Sequence, residues 1–92
     1  MTAHLTDERF VVRVMVTDVW DQVFLAVEAA TTVAELKRRA LEQALKRRVD
    51  SGDYDVKFRG ARVLDDRVTL SALGAGANAP FIILPNRRQP VR

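Results

Sequence analysis

The spacing of apolar residues changes at residue 32, and that change limits the possible folds more than any other feature of the chain. From Phe10 to Thr17 the period is two, with Phe10, Val12, Val14 and Val16 alternating with Val11, Arg13, Met15 and Thr17. This is the pattern of a strand with one buried face. Asp18-Val-Trp-Asp21 interrupts it, and the two aspartates suit a turn. A second alternating run sets Val23, Leu25 and Val27 against Phe24, Ala26 and Glu28, so the first thirty residues predict a β-hairpin. At Thr32-Val-Ala-Glu35 the period becomes helical. Here the Thr32 hydroxyl and the Glu35 carboxylate can each satisfy an orphan backbone N–H, as in a capping box. Val33, Leu36, Ala40, Leu41 and Ala44 then fall on one side, and Arg38, Arg39, Glu42 and Lys46 on the other. Glu35–Arg39 and Glu42–Lys46 are the expected i,i+4 ion pairs, with the helix fading over Arg48 to Asp50 and ending at Ser51-Gly52.

Beyond the helix the elements are shorter. Tyr54-Asp-Val-Lys-Phe-Arg59 alternates as a strand, with Tyr54, Val56 and Phe58 on one face. Gly60-Ala61 predicts a turn and Arg62-Val-Leu64 a small returning strand. Thr69-Leu-Ser-Ala-Leu73 is long enough for one capped helical turn before Gly74 and Gly76, and Phe81-Ile-Ile-Leu84, fenced by Pro80 and Pro85, is the final strand. Hairpin, helix, short strands, turn and final strand predict an α+β domain in which a mixed four- to five-stranded sheet packs on one α-helix. The apolarity of Phe81 to Leu84 on both faces suits a central strand, parallel to the first. Residues 1–9 are expected to form a flexible N-terminal segment, 10–85 the domain, and 86–92 a basic flexible tail.

Composition excludes more than it identifies. Ninety-two residues make one core, burying roughly 60–65% of the unfolded chain's surface. There is no cysteine, and His4 is the single histidine, so thiolate chemistry, a zinc site and a histidine relay are all ruled out. Asp18, Asp21, Asp65 and Asp66 lack the oxygen-rich spacing of a calcium loop, and Thr69 and Ser71 have no histidine to activate them. Gly74-Ala-Gly76 matches neither dinucleotide nor P-loop spacing. No catalytic site, metal, cofactor or small-molecule substrate is expected. The N-terminus lacks the apolar stretch of a signal peptide, and no apolar run approaches the ~20 residues of a membrane span. A soluble, cytoplasmic protein without membrane insertion is the expectation. The net charge of +3 favours acidic partners.

The second half of the chain carries a resemblance. Val56-Lys-Phe-Arg-Gly60, Val63-Leu-Asp-Asp66, Thr69-Leu-Ser71 and Phe81-Ile-Ile-Leu84 occur in the order and spacing of ubiquitin's strand and turn, acidic pair, threonine-leucine-serine and apolar closing strand. With the hairpin and capped helix in the right order, residues 10–85 resemble the ubiquitin-like β-grasp family. The chain departs from it twice. Conjugated members and sulfur carriers end in a diglycine, whereas this chain ends Gln89-Pro-Val-Arg92, and Gly74 and Gly76 precede the final strand. The resemblance therefore disfavours a conjugable modifier or sulfur carrier. Ubiquitin's central patch isoleucine falls at Lys57, so ubiquitin-reading domains are not expected to bind. A ubiquitin-like chain without diglycine is similar to the small YukD-type proteins of type VII secretion and to the ubiquitin-like small subunits of bacterial diiron monooxygenases. The Ala/Arg/Val/Asp-rich composition is in keeping with a GC-rich bacterial genome.

Strand parity then supplies a candidate site. If Val12, Val14, Val16, Val56, Phe58, Phe81 and Ile83 face the helix, then Arg13, Met15, Lys57, Arg59, Ile82 and Leu84 face outward. Apolar residues flanked by cations suit a protein-binding patch, although single exposed apolar residues are ordinary. Trp20, in the hairpin turn, either folds back on the hairpin or projects as an anchor. Met15, Trp20, Lys57, Arg59, Ile82 and Leu84 are accordingly the expected contacts for another protein. The alternative, a weak nucleic-acid-binding protein with a phosphate-binding surface on Lys37, Arg38, Arg39, Lys46, Arg47, Arg48, Arg87, Arg88 and Arg92, is disfavoured. Glu35 and Glu42 interleave with the helix cations, and no aromatic row offers base stacking.

Overall fold

The computed structural model describes residues 9–86. Strands β1 (Arg9–Val16) and β2 (Asp21–Glu28) form the hairpin, followed by helix α1 (Val33–Leu45). A 3-10 turn at Ser51–Asp53 leads into β3 (Tyr54–Phe58) and β4 (Ala61–Arg62). The one-turn helix α2 (Leu70–Leu73) and β5 (Pro80–Pro85) complete the order. The five strands make one sheet in the order β2-β1-β5-β3-β4. Strands β1 and β5 pair in parallel at its centre, as their apolarity predicts, and the remaining pairs are antiparallel.

One face of the sheet and the apolar stripe of α1 enclose the core. Val12, Val14, Val16, Val23, Leu25, Val27, Val56, Phe81 and Ile83 come from the strands, and Val33, Leu36, Ala40 and Leu41 from the helix. Each fully buried aliphatic or aromatic side chain contributes about 1.5–3 kcal/mol relative to exposure, so the alternation and the helical stripe together account for the layered architecture. Phe58 stacks on Phe81 with ring centroids 4.8 Å apart, locking β3 to β5 on the core side.

The helix starts where the capping box predicts, but only the threonine half of the box forms, because the Glu35 carboxylate accepts from Arg38 instead. The Thr32 hydroxyl accepts from Glu35 N at 3.1 Å. The two N–H groups before it are met from another part of the chain, since Val33 N donates to Val68 O at 2.9 Å and Ala34 N to Asp66 O at 2.7 Å. The helix ends earlier than periodicity suggests, at Leu45, because Lys46 turns left-handed (φ 59°) while its N–H still bonds Glu42 O at 2.8 Å. The expected ion pairs re-sort accordingly. Arg38 bridges Glu35 at 2.7 Å and Glu42 at 3.4 Å, and the Glu35 carboxylate raises the Arg38 pKa above its ordinary value. Arg39 instead donates to the Ala26 carbonyl at 2.9 Å.

Lys37, grouped by sequence with the solvated cations, is 7% exposed. Its Nζ donates to Tyr54 O at 3.0 Å and lies 3.4 Å from Asp66 Oδ2, tying α1 to the start of β3 and to the loop that caps the helix. Its long stem lies in the apolar layer while its head reaches polar atoms at the rim. At the ends, β1 already includes Arg9, and Asn86 donates from Nδ2 to Asp55 Oδ1 at 2.9 Å and from its backbone to Asp53 O at 2.9 Å. The expected flexible segments otherwise fall outside the described residues, as do His4, Arg87, Arg88 and Arg92.

Candidate interaction surface

The open face of the sheet results from the same alternation that builds the core. In register, Gln22 pairs with Met15, Met15 with Ile82, Ile82 with Lys57 and Lys57 with Arg62, so one row of side chains crosses all five strands. A second row joins Phe24, Arg13 and Pro80, and Leu84 lies beside Asp55. Four of the six expected residues, Met15, Lys57, Ile82 and Leu84, therefore share one rigid surface. Ile82 is 43% exposed, while Met15, Lys57 and Leu84 are half-buried among their neighbours.

Arg59 does not join them. Arg59 (φ 55°) and Gly60 (φ 82°) are both left-handed, the backbone of a tight type I′ hairpin turn, so strand parity ends at Phe58. The expected turn at Gly60-Ala61 lies one residue later than the real one, and β4 is correspondingly Ala61–Arg62 rather than Arg62 to Leu64. The Arg59 guanidinium sits 4.9 Å over the ring of Phe58, a core-face residue, on the far side of the sheet from Ile82. There it borders a concavity of about 490 Å³ lined by Phe58, Ala61, Val63, Leu64, Val68 and Leu73. The adjoining loop is stiffened by Arg67, which donates to Asp65 at 3.1 Å and holds that carboxyl below its ordinary pKa.

Trp20 projects. It is 78% exposed at the hairpin tip, with φ 51°, a conformation that costs a bulky side chain roughly 1–2 kcal/mol. The tip is held from several sides. Trp20 N donates to Thr17 O, Thr17 N to Ile83 O at 3.0 Å, and the Tyr54 hydroxyl to Asp18 Oδ2 at 2.6 Å. A tethered turn that displays an aromatic is ordered before any partner arrives.

Two contributors were missed in the sequence. Phe24, 56% exposed, and Val11, 42% exposed, enlarge the apolar surface on β2 and β1. The hairpin alternation already placed both on the outer face, on either side of Arg13, and that parity was the signal that could have found them. Arg62, Lys57's cross-strand neighbour, adds a cation, partly engaged by Asp55 at 3.2 Å. Apart from Asp55, the charged side chains in these rows are cations, Arg13, Lys57 and Arg62.

A parallel β1–β5 centre, a hairpin on one flank, a short antiparallel pair on the other and one helix across a single face define the topology. The fold is ubiquitin-like. Solved structures agree at a TM-score of 0.74 in three cases. The ubiquitin-like domain of an Arabidopsis thaliana protein is similar at 15% identity, covering 100% of this chain and 93% of that one. The Caldiarchaeum subterraneum ubiquitin is similar at 13% identity, covering 90% and 100%. A designed protein based on ubiquitin is similar at 15% identity, covering 91% and 96%. No protein-family model matches the chain, and no curated protein matches it in sequence. Among the described residues of this ubiquitin-like domain, no three His, Cys, Asp or Glu side chains gather as a metal site, and no helix is long and apolar enough to cross a membrane.

Proposed function

We propose that this ubiquitin-like domain is a noncovalent protein-binding module that docks its partner on the open sheet face and performs no chemistry itself. On this reading it serves as a cytoplasmic accessory to a bacterial secretion or enzyme complex. The observation that carries it is the juxtaposition of Met15 and Ile82, with Phe24 diagonal to Met15 across the hairpin, against the cations Arg13 and Lys57 on one rigid sheet. Such a surface suits a partner with apolar residues ringed by carboxylates, the apolar centre supplying affinity and the charges orientation. Trp20 lies at the end of the sheet where β1 and β5 finish and adds an aromatic anchor of the kind enriched at binding hot spots.

The test is capture from a bacterial host by the wild-type domain, followed by kinetics with the identified protein. Lys57→Glu should mainly slow association, because charges steer encounter. Ile82→Ser should mainly speed dissociation, raising Kd about thirtyfold if Ile82 is a hot spot. Arg59→Glu is the internal control, since its guanidinium lies against Phe58 on the other side of the sheet, and it should leave both rates nearly unchanged. Binding that is indifferent to Lys57 and Ile82 but sensitive to Arg59 would move the site to the concavity beside Phe58.

A further inference from the structure

The sheet leaves β2 uncovered along its outer edge, and hydrogen-bond parity shows which backbone groups are free. Arg13 N and Thr17 N donate to Ala79 O and Ile83 O, and Val11 O accepts from Asn78 N. The odd residues of β1 therefore point toward β5, and its even residues, Phe10, Val12, Val14 and Val16, bond β2 at Val27, Leu25, Val23 and Asp21. The backbone groups of Gln22, Phe24, Ala26 and Glu28 must then face outward. Glu28 is satisfied locally, because its N–H donates to the Thr31 hydroxyl at 2.9 Å and its carbonyl accepts from Thr31 N at 3.0 Å. Ala26 O accepts from Arg39 at 2.9 Å. The N–H and C=O of Gln22 and Phe24 and the N–H of Ala26 have no partner among the described residues. The edge segment is Val23-Phe-Leu-Ala-Val27, in which only Phe24 and Ala26 are exposed, and it has none of the lysines, prolines or bulges that normally guard an edge.

We infer that the occupant of this edge is a second copy of the chain, paired antiparallel through β2 about a two-fold axis at Phe24. The free groups select that register. Placing Phe24 opposite its own symmetry mate sets Gln22 opposite Ala26, so the outward groups of Gln22 and Phe24 and the Ala26 N–H all find partners, while the Ala26 carbonyl has a second lone pair for the new bond beside Arg39. Shifting the register toward Glu28 would require groups already bonded to Thr31. The side chains agree with it. On the open face the two Phe24 rings meet as a cross-strand aromatic pair. On the helix face Asp21, exposed and without a partner among the described residues, falls opposite Val27 of the other copy, beside the Arg39 that reaches Ala26. Symmetry makes this Asp21–Arg39 contact twice, as an isologous interface requires. The two sheets become one continuous sheet across the axis. The inference shares Phe24 with the proposed partner site but rests on the backbone edge of β2 and the Asp21–Arg39 contact, and its test needs no partner.

Sedimentation velocity on the intact chain from about 1 μM to about 1 mM should show a monomer–dimer equilibrium. Asp21→Arg and Arg39→Asp, each alone, bring like charges together at both contacts and should weaken self-association about tenfold or more. Mixed together the two variants should restore a dimer. At one contact the first variant's unaltered Arg39 meets the second's unaltered Asp21, and at the other the two substituted side chains meet as the same ion pair reversed. Variants that had merely lost their fold could not complement each other in this way. Phe24→Lys, which sets two ammonium groups at the axis, should also dissociate the dimer. A wild-type chain that stays monomeric throughout the range overturns the inference, as does a mixture of the two reversals that stays monomeric. Uptake of another protein's strand by a monomeric chain, seen at the amides of Gln22, Phe24 and Ala26, would assign the edge to that partner and equally overturn it.

Discussion

Replacing Lys46 by glycine separates two accounts of where the helix ends, because they predict opposite signs. Periodicity carries α1 through Lys46 toward Arg48, and glycine inside a helix costs roughly 0.5–1 kcal/mol relative to alanine. The structure instead places Lys46 at φ 59°, ψ 31°, just past the last helical residue, with its N–H closing on Glu42 O at 2.8 Å. A Cβ in that region costs about 1–2 kcal/mol, and glycine removes the cost while giving back about 0.4–1 kcal/mol through the freer unfolded chain. Lys46 is exposed and its ammonium makes no ion pair among the described residues, so little else is lost. Lys46→Gly should therefore stabilise the domain by about 0.5–1 kcal/mol, raising Tm by roughly 2–8 °C for a chain of this size. Lys46→Ala, which keeps the Cβ, should change stability little and isolates the backbone effect. Urea and thermal midpoints of the three proteins measure both. A lower midpoint for the glycine variant would refute the left-handed cap and extend the helix.

Two further substitutions probe how α1 is held. Thr32→Ala removes the hydroxyl that accepts from Glu35 N and should lower stability by about 0.5–2 kcal/mol in a urea titration, with an unchanged circular dichroism spectrum; a midpoint equal to wild type would mean the helix is not capped there. Lys37→Met keeps the apolar stem but deletes the bonds to Tyr54 O and Asp66, a loss of about 1.5–3 kcal/mol partly offset by no longer burying an ammonium, so a net cost of about 1 kcal/mol is expected. Lys37→Ala should cost more, by about 0.8 kcal/mol for each buried methylene removed. A methionine variant at least as stable as wild type would show that desolvation outweighs these contacts.

What was legible in the sequence was whatever a strictly local rule determines. Period two placed Val12, Val14, Val16, Val23, Leu25 and Val27 under the helix, and the Thr32 cap began that helix at the right residue. The apolarity of Phe81 to Leu84 on both faces placed β5 at the sheet centre, although only one of its faces is covered. The errors occur where the backbone leaves a regular period without glycine to announce it. Trp20, Lys46, Arg59 and Asn78 all hold positive φ. At Lys46 this shortened the helix, and at Arg59 it moved a predicted contact to the other side of the sheet. Lys37 was misjudged for a different reason, because its acceptors at Tyr54 and Asp66 arrive from distant parts of the chain.

The same distinction separates the two halves of the candidate site. The face containing Met15, Lys57, Ile82 and Leu84 depends on parity inside strands, and parity there is enforced by the core: a one-residue slip would bring Ile82 inward and force Phe81 and Ile83 into water. Its geometry is therefore as secure as the fold. Trp20 depends instead on a turn pinned by Thr17, Ile83, Asp18 and Tyr54, none of which touches the Trp20 side chain in the bonds that define it. Folding supplies no evident stabilisation in return for displaying a tryptophan there, since the ring is mostly in water and its backbone is in a costly region. A residue that the fold tolerates at some cost is the one whose replacement best separates binding from stability. Trp20→Asn, compatible with the left-handed turn, should leave stability unchanged or raise it by up to about 1 kcal/mol. If the tip is an anchor, the same change should weaken partner binding by about 2 kcal/mol or more, roughly thirtyfold in Kd. A fall in stability with binding unchanged would instead show that the indole packs on the hairpin.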